Sequence, residues 1–183
     1  MRYLLALWMA AALVGSAITT TAKDTGADMQ NVSPAAPLKL VLTISRQQLK
    51  PDEDLGLSAK LVNVGQDPLS IFSDLLWGYA GGLTIHISDS HGHPVQPQQH
   101  DDDMVVPSVL GNPEYYASLF PDHFLGVERK DSARNLFPKP GSYSVYVEYR
   151  SPVLGRYAKA PNFWGREKGT IRSTPIHIEV LSQ

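Results

Sequence analysis

The sequence predicts a single all-β domain, on the strength of two observations. Apolar residues recur with a period of two, and glycine and proline, 14 of each, lie between the apolar runs. Alternation of this kind is typical of half-buried antiparallel strands, and frequent turn formers separate short strands. We expect about seven to nine strands arranged as a sandwich or a barrel.

The individual strands are predicted from runs in which every second residue is aliphatic or aromatic. We expect strands at Leu38–Ser45, Leu55–Val62, Leu69–Phe72, Leu83–Ser88, Tyr143–Arg150 and Ile176–Leu181. A short helix is predicted over Asn112–Phe120, because Pro113 stands where the first turn of a helix tolerates proline.

Three of these patterns resemble the bacterial exported immunoglobulin-like or fibronectin-III-like modules. They are the strand Leu55–Asn63 that ends at an asparagine turn, the hairpin Asp89–Val95, and the strand within Pro140–Tyr149. The resemblance implies a single antiparallel immunoglobulin-like β-sandwich with long aromatic loops. It also implies that the Tyr143 hydroxyl bonds to upstream backbone and that Val145 enters the core.

The start of the chain has the three parts of a secretory signal peptide. Met1-Arg2 is basic, Leu4–Val14 is uncharged and apolar, and small residues follow, with cleavage expected after Ala17 or Ala22. The apolar run is far shorter than the roughly 20 residues that span a bilayer. We therefore expect a signal peptide at 1–22, a flexible leader at 23–37, a β-sandwich at 38–183, and a periplasmic or secreted product.

Composition narrows the chemistry that this domain could perform. There is no cysteine, which excludes disulfides, thiol catalysis and attachment of a lipid anchor to a thiol. The net charge is −2 and there is no basic block, which argues against nucleic-acid binding. No catalytic sequence motif is present, so we expect a protein that is not an enzyme and needs no cofactor.

Two loop regions, 107–124 and 149–170, are rich in aromatic residues, and the second also carries basic residues. Aromatic residues together with arginines are typical of interface anchors. The segment between Tyr149 and Thr170 is longer than an ordinary hairpin loop. We expect a protein or a polysaccharide of the cell envelope to bind here. The expected contact residues are Tyr157, Phe163, Trp164, Arg156, Arg166, Tyr115 and Tyr116. The alternative is that the aromatic side chains only cover the end of the core.

A histidine-rich region offers a second hypothesis, a periplasmic metal-binding protein that uses His86–Asp103. The candidate ligands for a divalent transition metal are His86, His91, His93, His100 and Asp101. The alternative is a polar turn followed by a polar, acidic loop. A third hypothesis, inhibition of proteases by loop insertion, rests on analogy between folds alone.

Overall fold

The structure is a computed structural model that describes residues 36–78, 81–97 and 112–182. The predicted signal peptide, the predicted leader up to residue 35, and His100 with Asp101 lie outside these residues. The described strands are β1 Leu38–Ile44, β2 Gln48–Leu49, β3 Asp54–Asn63, β4 Leu69–Phe72, β5 Leu76–Trp77, β6 Gly82–Asp89, β7 Pro94–Val95, β8 Tyr116–Leu119, β9 Phe124–Ser132, β10 Gly141–Tyr149, β11 Ile171–Arg172 and β12 Ile176–Val180. A one-turn helix, α1, spans Ala133–Leu136.

The prediction of a predominantly β protein is confirmed, and each run with a period of two forms a strand. In β3, the side chains of Leu55, Leu57, Ala59 and Leu61 are buried and their neighbours are partly exposed. The same alternation holds in β10 from Tyr143 onward. Since successive side chains of a strand point to opposite faces, the aliphatic face of each run lies in the core.

The described strands form two large sheets and one two-stranded ribbon. The first sheet has the order β1-β3-β9, and the second has the order β2-β12-β10-β6-β5, with β11 beside β10 and β7 beside β6. The ribbon consists of β4 and β8. The long pairs are antiparallel as predicted, but the two-residue strands β2 and β5 pair in parallel with β12 and β6. The second sheet is therefore mixed, whereas the first sheet is antiparallel throughout its described pairs.

Strand β9 was not predicted, although it pairs with β3 along its whole length, from Phe124 opposite Val62 to Ser132 opposite Asp54. Its inward positions are only partly buried, and its outward positions are exposed. The aliphatic signal is limited to Leu125 and Val127 because charged residues follow them. A strand at the edge of a sheet often carries such charges.

The predicted helix over Asn112–Phe120 is wrong beyond its first turn. A 3₁₀ turn spans Pro113–Tyr115, where the Asn112 side chain accepts a hydrogen bond from the Glu114 N–H. The chain then continues as β8, which pairs with β4 from Tyr116 opposite Phe72. Pairing with a distant strand therefore prevails over the local helical tendency of this short segment.

Asn63 ends β3 and is fully buried. Its side-chain amide donates to the Asp67 carbonyl at 2.9 Å and to the Leu119 carbonyl at 2.8 Å. Its side-chain oxygen accepts from the Gly65 N–H at 2.9 Å. One asparagine thus joins the end of β3 to the turn that follows and to the end of β8.

No helix among the described residues is long and apolar enough to cross a bilayer.

The expected hydrogen bond of Tyr143 is present. Its hydroxyl donates to the Lys139 carbonyl at 2.7 Å, and Val145, two residues later, is buried. The Tyr143 ring also packs on Phe137 at 4.8 Å between centroids. The hydrogen bond and the ring contact together fix the turn that leads into β10. This turn lies at the end of the molecule where β6 finishes.

We expect Tyr143→Phe to lower the free energy of unfolding by about 1 kcal/mol, because the Lys139 carbonyl loses its donor while the ring remains packed. Urea denaturation measures the difference. Tyr146→Phe is the matched control, since the Tyr146 ring lies on the outer face of the same strand. An equal loss in both variants would contradict the role given to the Tyr143 hydroxyl.

Candidate functional site

Three connections between strands meet at the end of the molecule where β10 finishes and β6 begins. They contribute β4, β8 and residues 150–170, which we call the cap. The pairing of β4 with β8 joins the first two, and a bridge between Ser70 and Phe163 joins the third. The Ser70 N–H donates to the Asn162 carbonyl at 3.2 Å, and the Trp164 N–H donates to the Ser70 carbonyl at 2.8 Å. Backbone hydrogen bonds therefore hold the cap together.

The cap has a hydrophobic cluster of its own. Phe72, Val153 and Phe163 are buried in it, and Tyr115 and Tyr116 pack around them. The Tyr116 ring meets the Phe163 ring edge-to-face at 5.2 Å, and Phe72 lies 6.4 Å from both tyrosines. Tyr115 and Tyr116, which were expected at an interface, are thus half-buried and mainly support this cluster.

Phe163 and Trp164, which were expected to contact a partner, are buried. Their exposed fractions are 8% and 9%, and they enter different clusters, Phe163 that of the cap and Trp164 the main core. Successive side chains of an extended segment point to opposite sides. The alternative considered for the sequence, that these aromatic side chains cover the end of the core, therefore applies to this pair.

Tyr157 and Arg156 remain at the surface as expected. The Tyr157 side chain is 51% exposed, and the Arg156 guanidinium lies 4.8 Å from the centre of its ring. Arg156 also donates to the Tyr157 hydroxyl at 3.0 Å. The cation–π contact and the hydrogen bond fix the two side chains relative to each other.

The guanidinium of Arg166, a residue that was expected to contact a partner, binds the protein's own backbone. It donates to the Ser151 carbonyl at 3.4 Å and to the Pro152 carbonyl. The neighbouring Glu167 accepts from the Gly155 N–H at 2.9 Å, and this hydrogen bond lowers the pKa of the Glu167 carboxyl. Together these contacts close the segment 150–170 on itself.

A pocket of about 230 Å³ lies beside the cap on the outer face of the second sheet. Its lining includes Arg150, Arg166, His86 and Glu148. The Arg150 side chain is exposed, and two guanidinium groups against one carboxylate give the pocket a positive balance of charge. A small ligand with an anionic group suits such a pocket.

His86 takes part in a cluster that sequence reasoning missed. Its ring stacks on Tyr146 at 4.8 Å, and its Nε2 lies 3.2 Å from a carboxylate oxygen of Glu148. Arg172 lies 4.6 Å above the Tyr146 ring and donates to Glu148 at 2.9 Å. The strand register explains the cluster, since Tyr146 is opposite His86 and Glu148 is opposite Arg172. His86 therefore belongs to this cluster, and not to a group with the other predicted metal ligands.

His91 and His93 lie instead at the hairpin between β6 and β7, together with Asp89. One ligand atom from each of these three residues falls within 4.8 Å of the others. The structure thus brings together two of the five predicted ligands and adds Asp89, which the sequence indicated only as a turn residue. His100 and Asp101 lie outside the described residues.

A shallow groove of about 840 Å³ crosses the outer face of the first sheet above Gly56. Charged residues surround it, and all of them except Glu128 form ion pairs. Arg46 meets Glu53 at 2.8 Å, and Lys130 meets Asp54 at 2.8 Å. The groove therefore offers less uncompensated charge than the pocket beside the cap.

We expect Phe163→Ala to lower the free energy of unfolding by about 3–5 kcal/mol, the usual cost of removing a buried phenylalanine ring. Thermal or urea denaturation measures the loss. Tyr157→Ala is the matched control and should cost less than about 1 kcal/mol, since that ring is exposed. Similar losses in the two variants would contradict the burial described for Phe163.

Tyr149 predicts a loss of stability at alkaline pH. Burial of its hydroxyl raises the pKa from 10.0 to about 12. Below pH 10 the phenol is protonated in both the folded and the unfolded chain, so its contribution is constant. Between pH 10 and 12 the unfolded chain loses the proton first, and the folded state loses about 2–3 kcal/mol.

Denaturant titrations of the wild type and Tyr149→Phe at several alkaline pH values isolate this contribution. The difference between their unfolding free energies should change with pH above 10 and stay constant below it. A difference that is independent of pH throughout would show that Tyr149 does not titrate in this way.

Comparisons with known proteins leave the chain without an assigned family. No family model and no curated protein matches it. Among solved structures it is similar to a β-glucosidase from Listeria innocua in complex with glucose, with 11% identity, a TM-score of 0.36, and coverage of 79% of this chain but only 16% of the glucosidase. It is also similar to AvmM, which catalyses macrocyclization in alchivemycin A biosynthesis, with 11% identity, a TM-score of 0.40, and coverage of 80% of this chain and 90% of AvmM. At TM-scores this low, neither similarity bears on the function of this chain.

Proposed function

We propose that this chain is an exported, non-catalytic binding module of the cell envelope, and that its cap engages a protein or a glycan. The observation that carries the proposal is the construction of the cap. Three connections are joined by backbone hydrogen bonds around their own aromatic cluster, and they present Tyr157 and Arg156 to solvent. Binding surfaces are commonly built on loops that a rigid scaffold holds in place.

The arrangement of strands supports an immunoglobulin-like β-sandwich as this scaffold. In chain order, β1, β3 and β9 share one sheet while β6, β10 and β12 share the other. Immunoglobulin domains likewise place strands A, B and E in one sheet and C, F and G in the other. The cap then occupies the end at which the partner-binding loops of variable domains cluster.

The chemistry of the exposed pair favours a partner with an apolar face and polar groups at its edge. A tyrosine offers a large ring with little conformational freedom, and an adjacent arginine offers several donors. The mutual contacts of Arg156 and Tyr157 reduce the entropy lost when a partner orders them. A sugar ring or a protein side chain could stack on Tyr157 while Arg156 binds a neighbouring oxygen.

Export is part of the proposal because the first residues have the layout of a signal peptide. An exported module would meet its partner in the periplasm or outside the cell. The absence of cysteine suits that environment, since no thiol can form an unwanted disulfide there.

The proposal predicts that the purified chain captures a protein or a polysaccharide from an envelope extract, and that Tyr157→Ala and Arg156→Ala each weaken the capture about tenfold or more. Affinity is then measured with the captured partner by titration calorimetry. Loss of the ring removes the anchor, and loss of the guanidinium removes its donors.

Phe124→Ala is the matched control, because Phe124 is 55% exposed but lies on β9, outside the cap. This variant should bind like the wild type. Failure of the wild type to capture anything, or equal binding by both cap variants, would refute the proposal. Melting temperatures close to the wild-type value in all variants show that the fold is intact.

A further inference from the structure

We propose that Asp89, His91 and His93 form a binding site for a divalent transition-metal ion of the zinc and copper class. The site lies on the hairpin between β6 and β7 and is separate from the cap. Its ligand atoms, one from each residue, lie within 4.8 Å of one another. Two imidazole nitrogens and one carboxylate oxygen are a donor set that these ions prefer.

The hairpin holds the Asp89 carboxylate in a fixed orientation. Its Oδ1 accepts hydrogen bonds from the His91 and His93 N–H groups, both at 2.9 Å. The Asp89 N–H in turn donates to the His93 carbonyl, and Gly92 takes a φ of 81° that allows the tight turn. Because Oδ1 is occupied by backbone donors, Oδ2 remains to face the imidazoles.

Both imidazoles present the same nitrogen to that oxygen. The Nδ1 of His93 lies 3.4 Å from Oδ2, and the Nδ1 of His91 lies 4.0 Å from it. The two rings stack at 5.9 Å with an angle of 21° between their planes. The side chains thus already converge on one point, and the hydrogen bonds of the backbone maintain that convergence.

A metal ion requires only a small further movement. Ligand atoms around tetrahedral zinc are about 3.3 Å apart, given bond lengths of about 2.0–2.1 Å. The side chains of His91 and His93 are 77% and 78% exposed, so they can rotate without disturbing the core. His91 would exchange a weak contact of 3.4 Å with the Ser90 hydroxyl for a bond to the metal.

The site and the cap lie at opposite ends of β6, since the cap adjoins Gly82 and the hairpin follows Asp89. His86, three residues before Asp89, is stacked on Tyr146 and faces Glu148. It is therefore not expected to reach the metal. Three ligands from the chain would leave at least one coordination position for water or for a donor from another molecule.

The test measures binding of zinc chloride to the purified chain by titration calorimetry. We expect saturable binding, a rise of the melting temperature with zinc, and at least a tenfold weaker affinity in the double variant His91→Gln with His93→Gln. Asp89→Asn should also weaken binding, although its amide oxygen can still accept the two N–H groups and keep the hairpin intact. With copper(II), electron paramagnetic resonance should show nitrogen ligands that the double variant lacks.

His177→Gln and His86→Gln are matched controls, each removing a histidine from elsewhere on the second sheet. Both should bind zinc like the wild type. The proposal is overturned if the wild type binds no zinc, if the double variant binds as the wild type does, or if the controls weaken binding equally. Because the cap variants leave the hairpin untouched, failure of the metal site and failure of the proposed function give different results.

Discussion

The structure depends above all on the burial and pairing of β10. From Tyr143 to Tyr149 every second side chain of this strand is buried, and its backbone pairs with β6 on one side and with β12 and β11 on the other. The Tyr143 hydroxyl fixes the turn that leads into this strand, next to the hairpin that contains Asp89. Its last residues lead directly into the cap. One strand therefore sets the positions of both candidate sites.

The alternation of apolar and polar residues was enough to predict the long strands that line the core. It was not enough to predict β9, which lies at the edge of the first sheet. The aliphatic faces of β3 and β10 are visible in the sequence because burial selects them at every second residue. In β9 only Leu125 and Val127 carry that signal, because four charged residues, 128–131, follow them. The helix expected after Asn112 failed for a related reason, because pairing between β4 and β8 depends on residues far apart in the chain.

Prediction of the candidate sites was limited in the same way, by contacts between residues that are far apart in the chain. Composition located the aromatic and basic segment but did not distinguish Tyr157, which is exposed, from Phe163 and Trp164, which are buried by contacts with Ser70 and the cores. The histidines at the hairpin could be grouped from their spacing. His86 could not be separated from them, because its neighbours come from β10 and β11 through strand register.

Phe163 and Trp164 are adjacent in the chain but bury their rings in different hydrophobic clusters, and this bears on how the molecule unfolds. The cap contributes buried side chains to both hydrophobic clusters: Phe72, Val153 and Phe163 form its own cluster, whereas Leu69, Ile71, Leu119 and Trp164 lie in the main core. Segments that share a core exchange their amide protons with solvent in one cooperative step, because neither can open without exposing the other. We therefore expect the cap and the sheets to lose their order together, and a partner bound to the cap to slow exchange in the sheets as well.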